Sequence, residues 1–163
     1  MSDVEPVVLR PAVPDDAADL LRLRLELLRS LGRDVGPPSA PWHEDALRWF
    51  ADRTQDPQWR IVGAAGPHGL VAYGAATVTQ HLPGPGRPDG RKAYVASMAT
   101  AEAWRRRGLA RAILLDLVEW ARGLGVDVVD LNASADGYPL YRSVGFEPSP
   151  FTAMTLRLGE PGT

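Results

Sequence analysis

The stretch from Lys92 to Asn132 constrains the fold more than any other part of the chain. "KAYVASMAT" reads as a strand. A long helix follows from about Arg105 to Leu124, with apolar residues at Leu109, Ile113, Leu117, Trp120 and Leu124 in helical spacing. "VDVVDLNAS" then reads as a second strand. Strand, helix and strand in this order imply a right-handed parallel crossover. The helix start is unusual. Arg105, Arg106 and Arg107 stand where the macrodipole is positive and acidic residues are favoured, at a cost of a few tenths of a kcal/mol per group, roughly. Such a start is suited to an anion.

The rest of the chain supplies the partners of that unit. "VVLRPA" reads as a first strand, and Asp15 or Asp16 caps the amphipathic helix "AADLLRLRLELLRSLG". "WHEDALRWFADRT" is a second helix. "WRIVGAAG" and "GLVAYGAATVTQ" are two strands joined around Pro67–Gly69, and "HLPGPGRPDGR" is a Pro/Gly-rich loop. "GYPLYRSVG" is a short helix stopped by Gly145, and "FTAMTLRL" a last strand. The strands before the crossover are joined too tightly for parallel pairing and are expected antiparallel. The expected product is a single α/β domain over residues 1–163, with a mixed sheet and helices on both faces.

Composition narrows the chemistry. The 163 residues carry a net charge of −2 and include no cysteine. That excludes a disulfide scaffold, a thiolate metal site and a cysteine nucleophile. The three histidines are too scattered to argue for a metal. The acidic balance, with no aromatic interleaved among the arginines beyond Trp104, argues against nucleic acid. No apolar run reaches membrane-spanning length, and "MSDVEPVVLRPAVPDD" lacks the regions of a signal peptide. A cytoplasmic protein is expected. Lys92 is the only lysine among many arginines, which with abundant Ala, Gly and Pro points to a GC-rich, bacterial genome.

"RRRGLA", Arg105 to Ala110, meets the needs of a phosphate site. Helix-start N–H groups are unpaired and can bind an anion. Gly108 permits close approach, Ala110 keeps the next position open, and arginines add charge-assisted contacts. Neither G-x-x-x-x-G-K-[ST] nor G-x-G-x-x-G occurs, so a P-loop and a dinucleotide fold are unsupported. The pattern present is R-x-x-G-x-A. A second block follows one helix and one strand later: "LNASADGYPLYRSVGFEP", with Leu131, Ala133, Ser134, Gly137, Leu140, Tyr141, Gly145 and Phe146.

Together the two blocks resemble the GNAT superfamily of N-acetyltransferases, and the likeness runs from about Val7 to Leu158. It implies a mostly antiparallel mixed sheet with a splayed parallel strand pair. It also implies acetyl-CoA as co-substrate, with no metal. The amides of Arg106, Arg107, Gly108, Leu109 and Ala110 would hold the CoA pyrophosphate, helped by the Arg105 and Arg107 side chains. Met98, Ala99 and Thr100 would pair their backbone with the pantetheine arm, and the amide of Met98 or Ala99 would polarise the thioester carbonyl. Ser134 occupies a position that often touches pantetheine, its other reading being a turn cap. Tyr141 sits where the family places its general acid. With no cysteine to carry an acyl group, direct attack in a ternary complex is implied.

The acceptor would be a small-molecule or protein amine. Where the family often has Asn and Tyr, this chain has Ser97 and Ala99, so analogy does not identify the substrate. Glu26, His43, Glu44, His81 and Glu102 are the candidate bases, and none stands out. The first two helices and the loop His81–Arg91 should form the acceptor pocket, with Trp42, Trp49 and Tyr73 as lining. Members of the superfamily often dimerise, which leaves a homodimer open. The alternative to an enzyme is a catalytically silent, acyl-CoA-binding regulatory domain of the same fold.

Overall fold

The computed structural model of the protein describes residues 6–159. They divide into two compact units, one ending at Asn132 and the other starting at Ala133. The first unit holds a five-stranded sheet in the order β1-β2-β3-β4-β5. Its strands are β1 (Val8–Pro11), β2 (Trp59–Gly66), β3 (Gly69–Gln80), β4 (Arg91–Thr100) and β5 (Val129–Leu131). The first three pairings are antiparallel and β4–β5 is parallel; the short β2–β3 and β3–β4 connections permit only antiparallel pairing. Helices α1 (Ala17–Ser30), α2 (Pro41–Arg53) and α3 (Leu109–Gly123) cover the sheet.

Alternation along β3 assigns the faces. Tyr73 and Ala75 join Leu20, Leu21 and Leu23 of α1 and Phe50 of α2 in one buried cluster. Gly74, between them, points the other way. A Cβ there would overlap the Ile113 side chain and stand 3.0 Å from Leu117 Cδ1, so α3 lies close against the opposite face. Ile113, Leu114 and Leu117 are fully buried. Each contributes roughly 2 kcal/mol by leaving water. α3 is also tied to the sheet by Arg60 of β2, whose guanidinium donates two 2.9 Å hydrogen bonds to the carboxylate of Asp116.

The start of α1 is fixed by Asp16. Its carboxylate accepts the Val13 N–H at 2.8 Å and a two-pronged bond from Arg10 at 2.7 and 2.9 Å. Arg10's hydrogen bonds hold that carboxyl below its ordinary range, with burial opposing.

Three sequence expectations are corrected. The long helix begins at Leu109 rather than Arg105, because Gly108 at φ +77° is left-handed and precedes the first helical residue. β5 covers only Val129–Leu131 of the expected "VDVVDLNAS". "FTAMTLRL" forms no strand: among the described residues nothing pairs with it, and Phe151, Met154, Leu156 and Leu158 are exposed. A strand exists only through a partner's hydrogen bonds, and apolar alternation cannot supply one. The second unit contains one helix, α4 (Tyr138–Val144), ended by left-handed Gly145.

Candidate active site

The connection from β4 to α3 is a short 3₁₀ turn, Glu102–Trp104, followed by Arg105 to Gly108. Two of these residues are left-handed: Arg106 at φ +61° and Gly108 at φ +77°. For Arg106 this is a strained conformation, of the kind that collects at ligand sites. Left-handed residues in such a turn aim backbone N–H groups into one concavity. α3 follows with no side-chain cap and no acidic residue in its first turn. The amides that open a helix have no intrahelical partner. Space beside Gly108 is open, with nothing within 4 Å of a Cβ placed there.

The arginines themselves lie ahead of the helix. Arg105 Nε donates to the Thr100 carbonyl at 3.3 Å. Arg107 donates to the Ala103 carbonyl at 3.3 Å, and its guanidinium lies 4.5 Å from the centre of the Trp104 ring. Both therefore brace the loop, while the Arg106 side chain is exposed. Leu109 and Ala110 are the first two residues of α3.

β4 carries Met98, Ala99 and Thr100 at its C-terminal end. They are paired on one edge only, with Gly74, Tyr73 and Ala72 of β3. On the other edge β5 reaches Ala93, Tyr94 and Val95 and then stops. β4 thus outruns β5, and backbone groups beyond Val95 have no partner strand on that edge among the described residues. The register between β3 and β4 shifts between Ala75 and Ala76, which leaves Ala96 as the extra residue of a bulge. A bulge re-aims the side chains next to it. Here it sets Ser97 opposite Ala75, with its hydroxyl 2.7 Å from the phenol oxygen of Tyr73.

Tyr73 and Ser97 are part of the wall of a cavity of about 350 Å³. The rest comes from Arg24 of α1, Trp42, Ala46, Trp49 and Phe50 of α2, Trp59 of β2, and Ala75 and Ala96. The expected Trp42, Trp49 and Tyr73 are all present. The loop His81–Arg91 is not: it folds on itself, with His81 N–H on the Gly90 carbonyl at 2.9 Å and Gln80 on the Asp89 carbonyl at 2.6 Å. Burial pushes the Tyr73 phenol above its ordinary pKa, while the hydrogen bond to Ser97 and the nearby positive charge of Arg24 act the other way. Arg24 escaped the sequence reading because "LLRLRLELL" hides it among leucines. The available signal was its spacing: it lies one turn beyond buried Leu20 and so shares that inward face.

None of the five candidate bases lines this cavity. Glu26 pairs with Arg22 and Glu44 with Arg48. His43 is buried, with Nε2 at 2.9 Å from the Val35 carbonyl. His81 Nε2 lies 3.0 Å from the Thr79 hydroxyl, and Glu102 is exposed in the 3₁₀ turn.

In the second unit, Ser134 Oγ accepts the Gly137 N–H at 3.1 Å, which is the turn-capping use of that side chain. Gly137 lies under the Tyr141 ring: a Cβ there would be 2.9 Å from Tyr141 Cε2. Tyr141 packs edge-on against Phe146 at 6.0 Å. Burial raises its pKa, and its hydroxyl has no hydrogen-bond partner among the described residues. Among these residues no group of three or more His, Cys, Asp or Glu is placed to hold a metal ion, and no helix is long and apolar enough to cross a membrane.

Comparison with known proteins places the fold. The chain is 29% identical over 147 residues to the N-alpha-acetyltransferase RimI of Mycobacterium tuberculosis, covering 90% of this chain and 82% of that protein. Its fold matches a predicted acetyltransferase from Clostridium acetobutylicum crystallised with acetyl-CoA, at a TM-score of 0.81 and 24% identity over 94% of this chain and 97% of that one. It also matches a GCN5-related N-acetyltransferase from Ralstonia eutropha, at 0.79 and 22% over 93% and 99%. The sequence profile of the acetyltransferase (GNAT) family matches residues 24–146. The chain therefore belongs to the GNAT family and to its class of enzymes, the acetyl-CoA-dependent N-acetyltransferases.

Proposed function

We propose that the chain moves an acetyl group from acetyl-CoA to a primary amine by direct attack, both substrates being bound together in a single N-acetyltransferase domain. The observation that carries this reading is the pairing of left-handed Arg106 and Gly108 ahead of an uncapped helix. That backbone suits the CoA pyrophosphate: the amides from Arg106 to Ala110 would bind its oxygens, and the loop is already braced by Arg105 and Arg107. The free edge of β4 at Met98–Thr100 suits an extended amide-bearing arm, which would pair with it as a strand does. An amide of Met98 or Ala99 would then face the thioester carbonyl as it gains negative charge.

The neutral amine attacks the carbonyl carbon, the C–N bond forms and the C–S bond breaks. The departing thiolate takes a proton, and the amine nitrogen gives one up to water. Tyr141 is the proton donor in this reading, and the proton released to water restores its phenol. Its burial supports the role, since a raised pKa keeps the phenol protonated at neutral pH, and the hydroxyl is not committed elsewhere. Ser134, although engaged by Gly137, retains its own O–H to donate to the pantetheine arm.

The test is thermal stability with and without acetyl-CoA, for the natural chain and for Gly108→Glu, followed by turnover on an amine panel. A ligand at about a hundred times its Kd adds roughly 2.7 kcal/mol. A shift in the natural chain and none in the variant supports the loop assignment. No shift in either removes it. Binding without turnover across the panel would make the chain an acyl-CoA-sensing domain instead. Tyr141→Phe should lower kcat by about 10²-fold or more with the acetyl-CoA shift retained. An unchanged kcat would remove the acid role.

A further inference from the structure

The cavity has a polar end and an aromatic end. Its rings form a chain: Trp59 meets Trp49 at 4.8 Å, Trp49 meets Phe50 at 5.4 Å, and Phe50 meets Tyr73 at 6.0 Å, each edge to face. The chain ends at the Tyr73 hydroxyl, which hydrogen-bonds Ser97 on β4, and Arg24 of α1 lines the same end near the phenol. The hydroxyl groups of the wall are thus gathered beside β4, and the aromatic rings run away from it.

Charge decides what this shape accepts. Arg24 is the only charged residue in the wall. The carboxylates nearest it on α1, Asp19 and Glu26, are both engaged by Arg22. No described Asp or Glu pairs with Arg24. The guanidinium of Arg53, outside the wall and 3.8 Å from Asp56, lies over Trp49 at 5.6 Å from the ring centre. An aromatic-walled cavity whose one charged lining side chain is a cation without a carboxylate partner repels a polyamine or a lysine-rich segment. It suits a ligand that brings the missing negative charge.

We propose that Arg24 is a specificity-determining residue that binds the carboxylate of the acceptor, and that the acceptor is a small aromatic α-amino acid or a close analogue. An α-amino acid carries amine and carboxylate on one carbon. With its carboxylate on Arg24, its amine stands at the same polar end, beside β4, where the proposed function places the thioester. Its ring extends among Trp42, Trp49 and Trp59. A guanidinium presents five N–H donors in a planar fork that matches a carboxylate. The inference rests on the acetyl-transfer reading for its orientation but is tested by binding.

The experiment titrates the intact protein, with CoA present, with tryptophan, with tryptamine, which lacks the carboxylate, and with spermidine. Isothermal calorimetry reads the affinities. Tryptophan should bind at least about tenfold tighter than tryptamine, the scale of one charge-assisted hydrogen bond, and spermidine should not bind. Arg24→Gln should narrow the tryptophan-to-tryptamine ratio to within about twofold, and Arg24→Lys should restore part of it. Circular dichroism melting of both variants shows whether they are folded. Equal affinities in the natural chain, preference for spermidine, no binding of any of the three, or an unchanged ratio in folded Arg24→Gln would each overturn the assignment. If acetyl-CoA shifts the melting temperature and these outcomes still occur, the acceptor assignment alone fails. If acetyl-CoA gives no shift, the acetyl-transfer reading fails first.

Discussion

The phenol oxygen of Tyr73 and the hydroxyl of Ser97 lie 2.7 Å apart, joining β3 to β4 at the bulge. Tyr73 is fully buried, so its hydroxyl depends on these partners. Tyr73→Phe should cost about 1 kcal/mol of stability, the usual net value of one hydrogen bond. It should also remove the hydroxyl beside Arg24 at the polar end of the cavity and raise KM for the acceptor more than KM for acetyl-CoA. Chemical denaturation and two-substrate kinetics check this, and an equal rise in both KM values would count against a role on the acceptor side.

Strain at Arg106 makes a prediction of opposite sign. A left-handed non-glycine residue costs about 1–2 kcal/mol, and glycine relieves this while adding about 0.5–1 kcal/mol of unfolded-chain entropy. Arg106→Gly should therefore leave stability unchanged or raise it by up to about 1.5 kcal/mol. Gly108→Ala, where space is open and only the backbone objects, should lower it by about 1 kcal/mol. Urea midpoints for the two variants should move apart. A marked loss in Arg106→Gly would show that its side chain, not its backbone, matters to the fold.

Packing at Gly74 is testable by a double-mutant cycle. Gly74→Ala places a methyl against Ile113 and Leu117 and should cost about 1–3 kcal/mol. Ile113→Ala removes the methyl that the new one meets. The two costs should fail to add, with a coupling of at least about 0.5 kcal/mol. Additive costs would mean that α3 moves away as a whole.

Acid should loosen the start of α1. The carboxyl of Asp16 is held below its ordinary range chiefly by Arg10. A lowered folded-state pKa stabilises the fold above the unfolded value of 3.8, and the contribution is lost as pH falls through the lower, folded value. Asp16→Asn should thus lose stability at pH 7, and its deficit against the natural chain should shrink below about pH 4. A deficit that does not change with pH would assign the effect to packing alone.

How far the sequence could be read depended on where each signal lives. The bounds of β2 and β3 follow from their residues, because "WRIVGAAG" and "GLVAYGAATVTQ" are bracketed by turn residues on both sides. Helical spacing located α3 but not its first residue. That boundary is set by backbone angles at Arg106 and Gly108, and the apolar period is silent there. "FTAMTLRL" carries strand composition without a strand, since pairing depends on a neighbour that local residues do not reveal. In the cavity, aromatic residues were legible as lining, whereas Arg24 looked like any solvated arginine of an amphipathic helix. Only the folded structure shows that α1 turns it toward Tyr73. The two motif blocks were legible as a family signature, yet they contain none of the cavity's lining residues.

The way β4 outruns β5 bears on how such an enzyme could diverge. Hydrogen bonds of a strand lie in the plane of the sheet, and side chains stand perpendicular to it. In the proposed reading the donor therefore meets the rim of β4 and the acceptor meets its surface. Recognition through main-chain amides is blind to residue type, so replacements at Ser97 or its neighbours would leave the donor's grip intact while reshaping the cavity. A lineage built on this strand can change what it acetylates one side chain at a time and never pass through a form that has lost its acetyl source.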